Sequence, residues 1–137
     1  YKRFIMKGMG WDQKTADETL GDVRLSAPDQ VIDKDEVLKI DGEEIRVLYT
    51  PGHVLTELAV YHPASGTLFA GDALYEGSDP TTRFGGPDQW KEWIAQLKRL
   101  KKFDFRTIVP GHGNLCALEE IERNIAFLEK KLGADGK

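Results

Sequence analysis

The stretch Ile108–Gly113, IVPGHG, closes a short apolar run with Pro-Gly-His. The chain makes the same move at Tyr49–Val54, YTPGHV, where the run EIRVLY (Glu44–Tyr49) reaches Gly52-His53. A third run, TLFAGD (Thr67–Asp72), ends on Gly71-Asp72. Each time a glycine stands directly before a side chain that can ligate a metal. Proline lacks an N–H and ends a strand ladder. Glycine lets the backbone turn sharply, with positive φ where that is required. The next side chain is then expected to project from a strand end into a cleft. If the three strands end at one sheet edge, His53, Asp72 and His112 converge there. Two imidazoles and a carboxylate suit zinc, iron or manganese. The three lie on different elements, which favours a site built by the fold over a finger-type site with ligands close in sequence.

Outward from these endings the pattern is regular. EVLKI (Glu36–Ile40) and EIRVLY are partly alternating and β-branched, and Asp41-Gly42 between them is a preferred type I′ hairpin turn. ELAVYH (Glu57–His62) and TLFAG (Thr67–Gly71) form a second pair around PASG. Four short strands in succession predict an antiparallel meander. Over Asp88–Phe103, Trp90, Trp93, Ile94, Leu97 and Leu100 fall on one face of an amphipathic helix, with both tryptophans read as core-facing bulk. RTIVP (Arg106–Pro110) is a buried strand. A last helix is expected from about Ala117 to Leu132, striped by Leu118, Ile121, Ile125, Leu128 and Leu132, with Gly133 as its stop and residues 133–137 as a tail. Residues 1–30 lack clean periodicity and are interrupted by Gly8, Gly10 and Gly21. They are expected to be irregular, with a short helix at Thr15–Leu20. The order implies an α+β fold: a strand meander, then helix–strand–helix, with helices on one face of a sheet.

The bulk properties narrow the function classes. The chain has 137 residues, 40% of them hydrophobic and 31% charged, which fits one compact domain. A net charge of -4 and a pI near 5.4 argue against nucleic-acid binding. No apolar run approaches the roughly 20 residues that span a bilayer, and no signal peptide is read. The single cysteine, Cys116, forms no internal disulfide, and a cytoplasmic setting is expected. The chain opens on Tyr1 in YKRF, and is expected to begin partway through a longer protein.

Other side chains are weighed against these. Tyr75 and Arg83 follow Asp72 in the glycine-containing loop ALYEGSDPTTRFGG and are candidate substrate-binding residues, Arg83 for an anionic group. His62 precedes PASG at an exposed hairpin tip, with no function expected. Cys116 is read as an ordinary buried thiol. Asp33, Asp35, Glu36, Glu43 and Glu44 are read as a solvated face.

TPGH, then LFAGD, then IVPGHG before a C-terminal helix resembles the second half of the metallo-β-lactamase-fold hydrolases, over Val31 to Leu132. The resemblance implies half of an αββα sandwich with a metal centre at one edge. It implies that His53 sits on a first metal ion, that Asp72 bridges two, and that His112 completes the second. It also implies a small-molecule substrate attacked by metal-bound hydroxide, with two zinc ions (iron or manganese also possible) in the complete site. The family's His-x-His-x-Asp-His string, which supplies four more ligands, does not occur here. Glu57 stands near a position where the family often has serine. This chain alone is therefore expected to bind metal weakly or not at all and to be inactive. It is also expected to self-associate as a dimer, or to pair with an N-terminal half. A diiron or mono-iron oxidoreductase of the same fold is the first alternative, and a non-catalytic assembly module the second.

Overall fold

The computed structural model describes residues 2–24 and 26–135. The chain divides into two compact units, Tyr1–Val31 and Ile32–Lys137. The first carries two helices, α1 (Lys2–Met9) and α2 (Gln13–Leu20), where irregular chain and one short helix were expected. The glycine that breaks the apolar pattern is in fact a helix stop. Gly10 takes φ 66°, and the Trp11 N–H donates across it to the Met6 carbonyl at 3.0 Å, the closing bond of a Schellman end. Asp12 then caps α2, its carboxylate accepting from the Thr15 N–H at 2.7 Å.

The second unit holds β1 (Glu36–Ile40), β2 (Glu43–Tyr49), β3 (Leu58–His62), β4 (Thr67–Tyr75), α3 (Pro87–Leu100), β5 (Thr107–His112) and α4 (Leu118–Asp135). The strands make one sheet in the order β1-β2-β3-β4-β5. The first three pairings are antiparallel, as the meander predicts, and β5 joins parallel to β4 after the α3 crossover. Asp41 and Gly42 take φ 51° and 85°, the two left-handed positions a type I′ turn demands. Leu48, Ala59, Tyr61, Leu68, Ala70 and Ile108 are buried with Trp93, Leu97 and Leu100 of α3 and Ile121, Ile125 and Leu128 of α4. The helices therefore cover one face of the sheet. On the alternate face Val47, Val60, Phe69 and Val109 stand in register as a single row, with Phe69 48% exposed.

Two boundaries depart from expectation. Helix α4 continues through Gly133 to Asp135. Nothing lies within 4 Å of a β-carbon there, and one exposed glycine costs a helix only about 1 kcal/mol. Strand β4 does not end at Gly71 but runs on to Tyr75. No helix among the described residues is long and apolar enough to cross a membrane.

Candidate functional site

His53 stands in the loop between β2 and β3. The Thr50 N–H donates to the Glu57 carbonyl and the Gly52 N–H to the Val54 carbonyl, both at 3.0 Å, so the loop is closed at its neck and at its tip. Gln89 of α3 ties it down, its Nε2 donating to the Gly52 carbonyl at 2.9 Å. A β-carbon on Gly52 would lie 2.6 Å from Cβ and Cγ of Trp93. Glycine is needed here for close approach, not for positive φ, which Gly52 does not adopt. The His53 ring is 6% exposed and boxed by Phe84, Trp93 and Tyr75, with ring centroids at 5.2, 5.6 and 6.1 Å.

Asp72 is presented by a bulge, not by a strand end. The β4–β5 register slips between Phe69 and Gly71 and again before Tyr75, and Gly71 takes φ 55°. The extra residues turn the Asp72 side chain off the ladder. His112 closes β5, followed by Gly113 at φ 97°, and stacks on Tyr75 with centroids 4.7 Å apart and rings inclined by 22°. The end of β4 is pinned from behind. Buried Asn124 accepts from the Tyr75 N–H at 3.0 Å and donates to the Tyr75 carbonyl at 2.7 Å. Sequence reading passed over Asn124. Its one signal is a polar residue three positions after Ile121, inside the apolar stripe.

The three predicted side chains come together around one carboxylate. Asp72 Oδ2 is 3.8 Å from His53 Nδ1, and Asp72 Oδ1 is 3.4 Å from His112 Nε2. Each oxygen of Asp72 faces a different imidazole. A fourth residue joins them that was visible in the sequence only as a departure from pattern: Glu57 Oε2 lies 3.3 Å from His53 Nδ1. Burial pushes the Glu57 carboxyl up from the ordinary carboxylate range, and the hydrogen bond to His53 works against that.

The remaining candidates fall at different distances from this centre. Tyr75 is 5% exposed and forms a wall against both imidazoles, and burial pushes its phenol up. Arg83 is exposed, its guanidinium carbon 4.6 Å above the Phe84 ring. It stands at the lip, one ring away from His53. His62 is away from the site, held between Ser65 Oγ at 2.8 Å and Glu43 Oε2 at 3.3 Å. The Cys116 thiol is pushed up to about 11, first by burial and then by Glu120, Glu76 and Glu119. Its start-of-helix position does not activate it. Alkylation of Cys116 by iodoacetamide at pH 8 is therefore expected to run on the order of a hundredfold slower than that of free cysteine. Mass spectrometry of timed samples measures it, and equal rates would refute the assignment.

The donor set fits part of a metal centre. Two ligands on one tetrahedral ion stand about 3.4 Å apart when each bond is near 2.1 Å, and the His112–Asp72 pair has that separation. His53 Nε2 is a buried imidazole nitrogen with no hydrogen-bond partner among the described residues, the condition of an atom whose partner is something else. Yet among the described residues no group of three His, Cys, Asp or Glu side chains closes around a single point. His112 Nε2 and Asp72 Oδ1 stand at ligand-to-ligand spacing, and among the described residues no complete coordination shell is formed.

Comparison with known proteins bears on the family and the fold. A family model described as the metallo-beta-lactamase superfamily matches residues 3–112. The match starts well before Val31, where the sequence resemblance was drawn, and takes in the helical first unit. A hydroxyacylglutathione hydrolase of Synechococcus sp. (strain JA-3-3Ab) is 37% identical over 65 residues, 47% of this chain and 26% of that protein. One from Idiomarina loihiensis is 30% identical over 102 residues, 74% of this chain and 36% of that protein. Among solved structures, a metallo-beta-lactamase family protein from Thermus thermophilus superposes with TM-score 0.71 at 27% identity, covering 97% of this chain and 46% of that one. The chain thus spans less than half the length of these relatives.

Proposed function

The chain belongs to the metallo-beta-lactamase superfamily, and from that premise we propose that it carries one part of a metal-dependent hydrolase centre, with His53, Asp72 and His112 as its ligands. The observation that carries this reading is the Asp72 carboxylate, which presents one oxygen to each of two imidazoles brought in from separate elements. The remaining donors come from residues outside these 137. Metal ions held there would supply Lewis-acid polarisation of a scissile carbonyl and would lower the pKa of water toward neutrality. This chain's own residues hold the ligands in place: Trp93 and Phe84 box the His53 ring, Tyr75 backs the His112 ring, and Asn124 fixes the strand between them. The substrate class is an acyl thioester of a small thiol, the chemistry that the names of the hydroxyacylglutathione hydrolase relatives describe. Arg83 at the lip is suited to an anionic group on that thiol. Val60, Phe69 and Val109, the part of the row that is not buried, offer an apolar surface on which the segment bearing the other ligands would pack.

The test is complementation. Incubated with zinc and an acyl-glutathione thioester, the chain alone is expected to give no hydrolysis above buffer. Mixed with a polypeptide carrying a His-x-His-x-Asp-His segment of this family, it is expected to form a stoichiometric complex on size exclusion and to release thiol. A complex without turnover would favour an assembly module instead. Turnover by the chain alone would overturn the divided site.

A further inference from the structure

Glu57 occupies a position that the ligand set leaves unassigned. Its carboxylate is only 13% exposed, and it sits between two of the proposed ligands. We propose that Glu57 is a positioning residue of this site: it accepts a hydrogen bond from Nδ1–H of His53, so that the ring keeps its Nε2 lone pair free, and with the same carboxylate it braces the Gly71-Asp72 bulge. The inference rests on the reading of His53 and Asp72 as ligands and adds what orients them.

Three independent contacts support it. The first concerns where the imidazole proton sits. Nδ1 has carboxylate oxygens at 3.3 Å (Glu57) and 3.8 Å (Asp72), whereas Nε2 is buried with no partner among the described residues. A proton on Nδ1 is paired, while a proton on Nε2 would be a buried N–H with no acceptor, which is the costly arrangement. The second is the other end of the carboxylate. A β-carbon on Gly71 would lie 2.8 Å from Glu57 Oε1, so the carboxylate packs directly against the bulge. Gly71 therefore leaves the room that Glu57 fills. The third is the main chain: the Glu57 carbonyl accepts from the Thr50 N–H at 3.0 Å and closes the His53 loop. Chemistry sets this apart from the serine of the family pattern. A hydroxyl both donates and accepts and so tolerates either ring tautomer, but a carboxylate only accepts and selects one.

Long-range ¹H–¹⁵N correlation spectra of the histidine-labelled chain, without metal or substrate, read the tautomer directly. Wild-type His53 is expected as the Nδ1–H form, in excess by roughly tenfold or more. In E57A and E57Q the two tautomers are expected at comparable populations, because alanine offers Nδ1 no acceptor and the glutamine amide can turn either its oxygen or its NH2 group to Nδ1. His62 signals should stay put in all three proteins. An Nε2–H tautomer in the wild type would overturn the proposal, as would an unchanged ratio in E57Q, whose near-identical shape keeps the test valid even if E57A does not fold. The spectra need no turnover, so a chain that hydrolyses nothing can still show the expected tautomer, and failure of one reading is separable from failure of the other.

Discussion

Trp93→Ala is expected to lower the unfolding free energy by about 3–5 kcal/mol and the melting temperature by on the order of 10–20 °C. The side chain is 1% exposed, at the centre of the α3 face. Removing it leaves a void under the sheet and also removes the floor of the site. The indole Nε1 donates to the Ala73 carbonyl at 2.8 Å, one residue beyond Asp72. The ring lies 5.6 Å from the His53 imidazole. Trp93→Phe separates the two roles. It keeps most of the bulk and strands the Ala73 carbonyl, so a smaller loss of about 1–3 kcal/mol is expected. Urea denaturation followed by circular dichroism measures both. An alanine variant within about 1 kcal/mol of wild type would mean that α3 does not seat on the sheet through this residue.

That side chain also marks the limit of sequence reading. Periodicity put Trp93 on the buried helix face, correctly, and the same logic placed Leu97, Ile121 and Leu128. It could not show that the indole N–H reaches back to the β4 bulge, because that bond joins residues whose proximity only the folded sheet creates. The Asp41-Gly42 turn was legible because its chemistry is local: two left-handed residues in sequence admit few side chains. Helix α1 (Lys2–Met9) was missed for the converse reason, while the short helix expected at Thr15–Leu20 lies within α2. Glycines were taken as breaks in structure, whereas Gly10 at φ 66° is the punctuation between two helices. At the site, the three Gly-ligand endings were visible, but one physical cause was assigned to all of them. Only Gly71 uses positive φ. Glu57 and Asn124 left almost no trace, since a glutamate in a loop and an asparagine in a helix acquire meaning only from what packs against them.

Gly111→Ala tests that distinction, and is expected to cost about 3 kcal/mol, the upper end of the usual range of about 1–3 for overpacking a core. Gly111 lacks positive φ, so alanine meets no penalty from backbone conformation. The cost is space. A β-carbon would overlap Asp72 Oδ1 and stand 2.7 Å from both the carbonyl carbon and oxygen of Gly71. A carboxylate can rotate aside; strand backbone cannot, because Gly71 is registered against Pro110 in the parallel ladder. Most of the loss should therefore come from β4 and β5 being forced apart. A double-mutant cycle with Asp72→Ala measures this: removing the carboxylate is expected to restore less than half of the stability lost. Full restoration would place the whole clash on the side chain. No loss in the single variant would mean that the β4 bulge and the β5 ending do not touch, and His112 and Asp72 could not then share a centre.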